Sequence, residues 1–506
     1  MTGPKHSPLL VGTGVLTLLW IAARASLQSI TIDEADTYIF NVWRSGPSHW
    51  EPSANNHVLN SMLMRLFTSI FGASPLTLRL PALIGAALYI GAVYCLVRLI
   101  SRRPLLQWSL FVCLTASPFV MDYLVAARGY SLAAAFLMWT IALAGWYRAQ
   151  DAEARAASLW RTCVLISIGA ALSVSANFSF AIADALTALG LYLWICREHG
   201  RQYLKILAAF TLPGLAVGFF FVGSVVLAWP KGQFTWGADS LFRMVQSLVS
   251  ASLFEPNPYL LNPRLHHSFV HFGTFLYPML ALFVVWRLVA LFFDRATVQE
   301  PGARRLAALA IVTGAALALA VVCHEFLYMA FGILLPLDRT AMFVVLLFFA
   351  MAGTLAAVPL PSGSGRYSGK ALAAILTLIA CYNIGCLRLT YFNEWKYDAD
   401  MKNVYAVLAH YNHTYGMNKV ATNWRYVAAL NCYRLISGRE TIEEFPGGPP
   451  VVNYYPPGFQ AYVIYYPVDE GFFRREGLKL AYHDSFTGVA VVVRPEVATE
   501  PPLPAR

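Results

Sequence analysis

Charge is what this sequence has least of. Asp, Glu, Lys and Arg make up 13% of its 506 residues, about half the share a soluble domain carries. With 58% of residues hydrophobic, a soluble enzyme is excluded, and so is a globally disordered chain. A cysteine framework is missing too. Of the 8 cysteines, seven lie in or beside apolar blocks and only Cys432 sits in a polar stretch. Neither a disulfide lattice nor a paired-cysteine zinc site is indicated. No glycine-rich phosphate loop and no internal repeat stand out. The net charge of +10 does not point to nucleic acid. Lys and Arg sit mostly in short loops between apolar blocks, where the positive-inside rule puts them.

Long apolar runs are abundant. About 20 mostly apolar residues span the hydrocarbon. Eleven such runs are read, over roughly 8–24, 80–100, 105–121, 130–147, 160–176, 178–196, 205–228, 272–293, 305–323, 340–358 and 371–387. The expected fold is mainly α, a polytopic membrane protein. Lys5 and Ala23-Arg24-Ala25 imitate a signal peptide around the first run, but an arginine inside the cleavage site favours a retained span. Basic residues gather after the even-numbered spans: Arg98, Arg102 and Arg103; Arg148, Arg155 and Arg161; Arg197, Arg201 and Lys205; Arg295, Arg304 and Arg305; Arg366 and Lys370. All share one side if the amino terminus is cytoplasmic, which puts the tail outside. Short cytoplasmic loops and a lean tail favour a bacterial inner membrane.

Three outer segments are too long to be turns: about 25–79, about 229–271 and the tail. Loops of that length are usually functional, so the outer face is the working face. Residues 1–390 are read as a membrane domain and 391–506 as a small extracytoplasmic α/β domain. Its strands are expected at Lys419–Trp424, Ala461–Tyr466 and Gly488–Arg494, with a helix at Arg425–Ile436.

The chemistry-bearing residues lie at the outer span ends. Asp33, Glu34 and Asp36 form an anionic knot in Thr31–Tyr38, followed by the aromatic stretch Tyr38–Trp43. Asn55-Asn56-His57 precedes a second interfacial helix beginning at Val58. A carboxylate between two such helices, partly desolvated, is expected to have a raised pKa and to serve as a general base. Arg128, in Ala127-Arg128-Gly129-Tyr130, and Arg339, in Leu337-Asp338-Arg339, stand on the face where cations are disfavoured. Their guanidinium forks suit an anionic headgroup, with snorkelling anchors as the alternative. Arg79 reads as an anchor. His266, His267 and His271, the pair His324-Glu325, and Asp184 inside the sixth span complete the polar residues of note.

In this order, the residues resemble the membrane glycosyltransferases of the GT-C superfamily, of the protein O-mannosyltransferase and lipid A aminoarabinose transferase type. The likeness is carried by Asp33-Glu34-Ala35-Asp36-Thr37, Arg79-Leu80-Pro81, Arg128-Gly129-Tyr130-Ser131-Leu132 and Asp338-Arg339. It covers most of residues 1–390. The chain departs from relatives at Asn56-His57-Val58, where they have a His-Pro-Pro or Lys-Pro-Pro element.

The resemblance implies a polyprenyl-phosphate-linked sugar as donor, an acceptor hydroxyl on a glycan, lipid or protein, and inversion at the anomeric carbon in the bilayer's outer face. It implies catalytic roles for Asp33 (base) and Glu34 (acceptor orientation). Arg128, Arg339 and His57 would bind the donor phosphate, and Tyr38, Asn56 and Tyr130 would line the substrate site. No cofactor is required, although a divalent metal is compatible with such a site. The competing reading is a transporter or flippase for a lipid-linked saccharide. Against it, the charges cluster at one face rather than at mid-membrane.

Overall fold

Backbone groups inside hydrocarbon have no water to bond, so apolar runs of this length fold as helices. The computed structural model describes residues 7–45, 50–197, 199–230, 232–233, 236–252, 257, 263–293, 300–360, 363–438, 441–446 and 455–497, without the side chains of 263–271 and 273. The first helices are α1 (Pro8–Leu27), α2 (Ile32–Tyr38), α3 (Val58–Phe71), α4 (Pro75–Ile100), α5 (Pro104–Thr115) and α6 (Pro118–Val125). Next come α7 (Tyr130–Ala149), α8 (Ala152–Ala176), α9 (Ala181–Cys196), α10 (Tyr203–Leu227) and α11 (Leu241–Ser252). The membrane part closes with α12 (Pro263–Phe293), α13 (Pro301–Phe331), α14 (Met342–Ala357) and α15 (Gly363–Gly385).

Ten of the described helices are long and apolar enough to cross a bilayer, and the pair α5–α6, bent by 55°, makes an eleventh if counted as one. The chain is a multi-pass membrane protein. The bend falls at Ala116-Ser117, before Pro118, which lacks an N–H and pushes its predecessor out of the helical region. Helix α13 runs past the expected end at 323, because His324 and Glu325 do not stop a helix. It terminates at Gly332, left-handed with φ +68°. Helices α4 and α7 approach closely because Gly85 has no side chain: a Cβ there would lie 2.5 Å from Ser131 Oγ.

Two short helices cover the end of the bundle. A reciprocal capping box starts α2: the Thr31 hydroxyl accepts from the Glu34 N–H, and Glu34 accepts from the Thr31 N–H. The helix continues as a π-helical turn, Ile39–Trp43.

The tail adds α16 (Met401–Tyr415), β1 (Val420–Thr422), α17 (Val427–Ser437), β2 (Ala461–Tyr465), α18 (Tyr466–Arg475), β3 (Lys479–His483) and β4 (Val489–Val493). The strand order is β1-β2-β4-β3, with β1 parallel to β2 and the other pairs antiparallel. All of β4 is buried, as a central strand covered on both faces requires. Val489, Val491 and Val493 join one apolar cluster with Leu408 of α16 and Leu430 of α17. Ala490 and Val492 join another with Phe472 of α18. The first cluster also holds Ala35, Tyr38, Ile39 and Val42, so the sheet unit is seated on the segment between α1 and α3. Three strands were foreseen; β3, α16 and α18 were not, since each has a mixed polar pattern without a clean period.

Leu408 is fully buried in the cluster joining α2 to the sheet. Leu408→Ala is expected to cost about 2–5 kcal/mol, read as a lowered thermal midpoint. An unchanged midpoint would mean that the cluster does not hold the unit in place.

Candidate functional site

The residues singled out from the sequence fall into two groups. Glu34 and Arg79 close on each other in the interior. The Arg79 guanidinium donates from Nε to Glu34 Oε1 at 2.8 Å and from Nη2 to Oε2 at 2.7 Å. Its remaining N–H groups reach the carbonyls of Ala25 (3.0 Å), Gln28 (2.8 Å) and Ser29 (2.7 Å). Glu34 also accepts from the N–H groups of Thr31 (3.0 Å) and Ala127 (2.9 Å). Burial pushes its carboxyl up, and the Arg79 charge with these hydrogen bonds reverses that and holds it below its ordinary value. With both oxygens engaged in this way, Glu34 is not placed to orient an acceptor. Arg79, taken for an anchor, is its buried partner.

Asp33, one position earlier on α2, turns the other way. Its side chain is 16% exposed and forms an ion pair with Arg339, Nη2 to Oδ2, at 2.9 Å. Burial alone would raise its pKa, as the sequence suggested. The charges of Arg128 and Arg339, with contacts from Arg339 and Trp395, more than reverse this and hold the carboxyl ionised below its usual range. The expected raised pKa is thus corrected, because two guanidinium groups outweigh desolvation.

Arg128 is buried and spans three segments. Nη1 donates to the Thr37 hydroxyl (2.9 Å) and the Asp33 carbonyl (3.3 Å), and Nη2 to Asn55 Oδ1 (2.5 Å). Its position depends on Gly129, which starts α7 with φ +75°. A Cβ there would come within 2.1 Å of the Ala176 carbonyl oxygen. His57, at the start of α3, is buried, and among the described residues neither ring nitrogen has a hydrogen-bond partner. Burial, then the charges of Arg128 and Arg339, drive its pKa well down. A neutral imidazole can donate or accept one hydrogen bond but adds no positive charge. Its ring centroid lies 5.6 Å from that of Tyr130, which in turn lies 5.0 Å from Tyr123.

Other expected residues sit elsewhere. Tyr38 is buried in the apolar cluster beneath the sheet unit. Asn56 is turned inward, donating to the Glu51 carbonyl (3.0 Å) and accepting from Ser61 (3.0 Å). Its neighbour Asn55 reaches Arg128 instead. Asp184 lines a separate cavity of about 640 Å³ between α8, α9 and α10. His324 stacks on Phe343 at 5.8 Å. The side chains of His266, His267 and His271 lie outside the described residues. Among the described residues, no three His, Cys, Asp or Glu side chains gather as a metal-binding group.

Sequence reasoning missed the segment after α15. Glu394 pairs with Arg339 from the side opposite Asp33 and accepts from the Tyr123 hydroxyl. The Trp395 ring lies under the Arg339 guanidinium at 5.5 Å. The same segment is moored by Asp122, which accepts from Arg24 at 2.5 Å and from the Asn393 N–H at 2.9 Å. Asp398 accepts from the Ile32 N–H at 2.7 Å. Burial pushes its carboxyl well up, and Asp33, Glu34 and Asp36 add to this against the pull of that hydrogen bond. The only signal was a Glu and a Trp adjacent at a span end.

Two predictions follow from these charges. Glu34→Ala leaves the Arg79 cation buried and unpaired, and is expected to cost about 3–5 kcal/mol; an unchanged thermal midpoint would contradict this. Asp36 is pushed up to about 6 by burial and by Asp33, with Arg128 opposing. An acid with a raised folded pKa supports stability when protonated and loses that support as pH rises toward the folded value. The midpoint advantage of Asp36→Asn over wild type is therefore expected to grow from pH 4 to pH 7. A pH-independent gap would refute it.

No family model and no curated protein matches the chain. Among solved structures it is similar to ArnT from Cupriavidus metallidurans bound to undecaprenyl phosphate, with TM-score 0.44 and 13% identity over 97% of this chain and 99% of that one. It is also similar to the arabinofuranosyltransferase AftD from Mycobacteria, with TM-score 0.46 and 14% identity over 96% of this chain and 39% of that one. For the arabinosyltransferase EmbB from Mycobacterium smegmatis the values are 0.39 and 12%, over 86% and 43%.

Proposed function

We propose that the protein is an integral-membrane inverting glycosyltransferase, moving a sugar from a polyprenyl-phosphate carrier to an acceptor hydroxyl at the outer face. The observation that supports this most is Asp33: a largely buried carboxylate, 2.9 Å from Arg339 and held ionised by that arginine and Arg128. The two cations come from loops remote in the chain. Such an arrangement can hold an anion and a base side by side at the membrane surface.

In the reaction, the acceptor oxygen attacks the anomeric carbon from the face opposite the phosphate. As the new C–O bond forms, Asp33 takes the acceptor proton. The bond from the anomeric carbon to the phosphate oxygen breaks, and its electron pair leaves with the carrier phosphate. Arg128 and Arg339 stabilise that developing charge. Neutral His57 donates a single N–H to a phosphate oxygen, and Tyr130 lines the same pocket. Glu34 positions α2 and touches no substrate. No metal takes part in this step.

The resting Asp33–Arg339 pair gives the reaction an order. A donor phosphate arriving between the arginines neutralises them, weakens the pull on the Asp33 proton affinity and turns a poor base into a better one. The topology follows the Lys/Arg distribution, with the amino terminus cytoplasmic and the sheet unit outside.

The test uses purified protein in lipid with a panel of polyprenyl-phosphate sugars, measuring release of the carrier phosphate. Asp33→Asn is expected to lower release by about 10²–10⁴; unchanged release would remove Asp33 as the base, and no release by wild type with any donor would shift the reading to transport. Arg128→Ala and Arg339→Ala are each expected to weaken undecaprenyl phosphate binding by about 10–100-fold, the loss for a hydrogen bond to a charged group. Equal affinity in both variants would contradict their assignment.

A further inference from the structure

At the opposite end of the bundle lies a second polar feature that the reaction does not use. Helix α4 carries Arg79 near the Asp33 cluster and Arg98 in its last turn. Those 19 residues span about 28 Å of helix, close to the thickness of the hydrocarbon. There, α4, α7 and α8 enclose a cavity of about 530 Å³. Its mouth holds Arg98, Arg161 and Trp146, and Trp139 and Leu143 line it farther in. Trp139 lies two helical turns below Trp146, about 10 Å deeper.

The mouth has the make-up of a membrane–water boundary. Trp146 is 50% exposed and Trp160 42%, the amphipathic aromatics expected at a membrane–water boundary. Arg98 donates to the Tyr94 hydroxyl at 2.8 Å. Arg161 is exposed on α8, one turn before the apolar Leu165. Two cations at the boundary and an apolar slot beneath them complement a molecule with an anionic head and a hydrocarbon tail.

We propose that this cavity binds an anionic phospholipid of the leaflet opposite the Asp33 cluster. The phosphate lies between Arg98 and Arg161, and one acyl chain lies along Trp139, Leu143 and Leu165. The site is independent of the transferase reading.

The experiment reconstitutes the full chain into vesicles of phosphatidylcholine with phosphatidylglycerol, extracts it in mild detergent and counts retained lipids by native mass spectrometry. Wild type is expected to retain phosphatidylglycerol over phosphatidylcholine. Arg98→Gln/Arg161→Gln is expected to lose at least tenfold of the phosphatidylglycerol, while Arg102→Gln, at a neighbouring surface arginine, behaves as wild type. Leu143→Trp keeps both arginines but fills the slot, and is expected to show the same loss should the double variant fail to fold. Equal phosphatidylglycerol retention by wild type and Leu143→Trp, or equal retention of the two lipids by wild type, would overturn the proposal.

Discussion

The end of the bundle that carries the sheet unit is organised around one buried ion pair, Arg79 with Glu34. Arg79 places all five of its N–H groups, two on the carboxylate and three on carbonyls at the end of α1. Glu34 takes four donors, including the Ala127 N–H that leads into Arg128. Taking two charges out of water costs several kcal/mol each, so the pair adds little net stability over an apolar substitute. What it does supply is registration. It ties the end of α1, the start of α2, α4 and the turn before α7 to one point, and it fixes the rotation of α2. With Glu34 directed inward, its neighbour Asp33 faces Arg339.

Once α2 is set, the electrostatics of the Asp33 cluster follow from competition for few cations. Asp33, Asp36 and Glu394 lie against Arg128 and Arg339, with Asp398 close to Asp33 and Asp36. Asp33 is next to the arginines and stays ionised, whereas for Asp36 and Asp398 burial and the neighbouring carboxylates outweigh what opposes them, the Arg128 charge and the Ile32 N–H respectively, and push both toward their protonated forms. Arg339 is held between two carboxylates with an aromatic ring beneath it, a setting that keeps the guanidinium in place before any ligand arrives. His57 is held neutral by burial first, and then by the charges of the same two arginines. Pre-placed charge of this kind can act on a reaction without reorganising first.

The spans were legible because hydrophobic length is a one-dimensional property, and apolar residues recur wherever the bilayer demands them. Asp33 and Arg128 were legible for a similar reason: a charge at a span end on the disfavoured side is conspicuous by local composition. Glu394 and Trp395 were not, since what makes them part of the site is a fold that returns the chain to Tyr123 after 271 residues. The choice between Asn55 and Asn56 was equally hidden. Both carry the same amide, and only the rotation of the loop at the start of α3 decides which reaches Arg128. Glu34 misled because a carboxylate beside a candidate base looks like a second catalytic group, and nothing local says that Arg79, 45 positions later, has claimed it. The sign of the Asp33 shift failed likewise, since burial can be guessed from neighbours while two distant cations cannot.

The reach of Arg339 has its own cause, and it lies in the backbone. Among the described residues, Asp338 is the one non-glycine residue with positive φ, at +45°, a conformation costing about 1–2 kcal/mol for an L-residue. Asp is among the types that tolerate it best. The surrounding contacts leave it little alternative. Leu335 forms a two-way backbone bridge with Ala238, at 2.8 and 2.9 Å. The Asp338 N–H donates to the Ser247 hydroxyl at 3.1 Å, and the Thr340 hydroxyl closes on the Leu337 carbonyl at 2.8 Å. The chain is therefore pinned on both sides of residue 338 and must turn sharply there before α14 begins. Without that turn, the side chain after it would have no reason to point back toward α2. The local strain is offset by the bonds around it and by the Asp33 pair, so the α11 segment, which supplies no residue to the Asp33 cluster itself, still helps to determine where Arg339 sits in the candidate site.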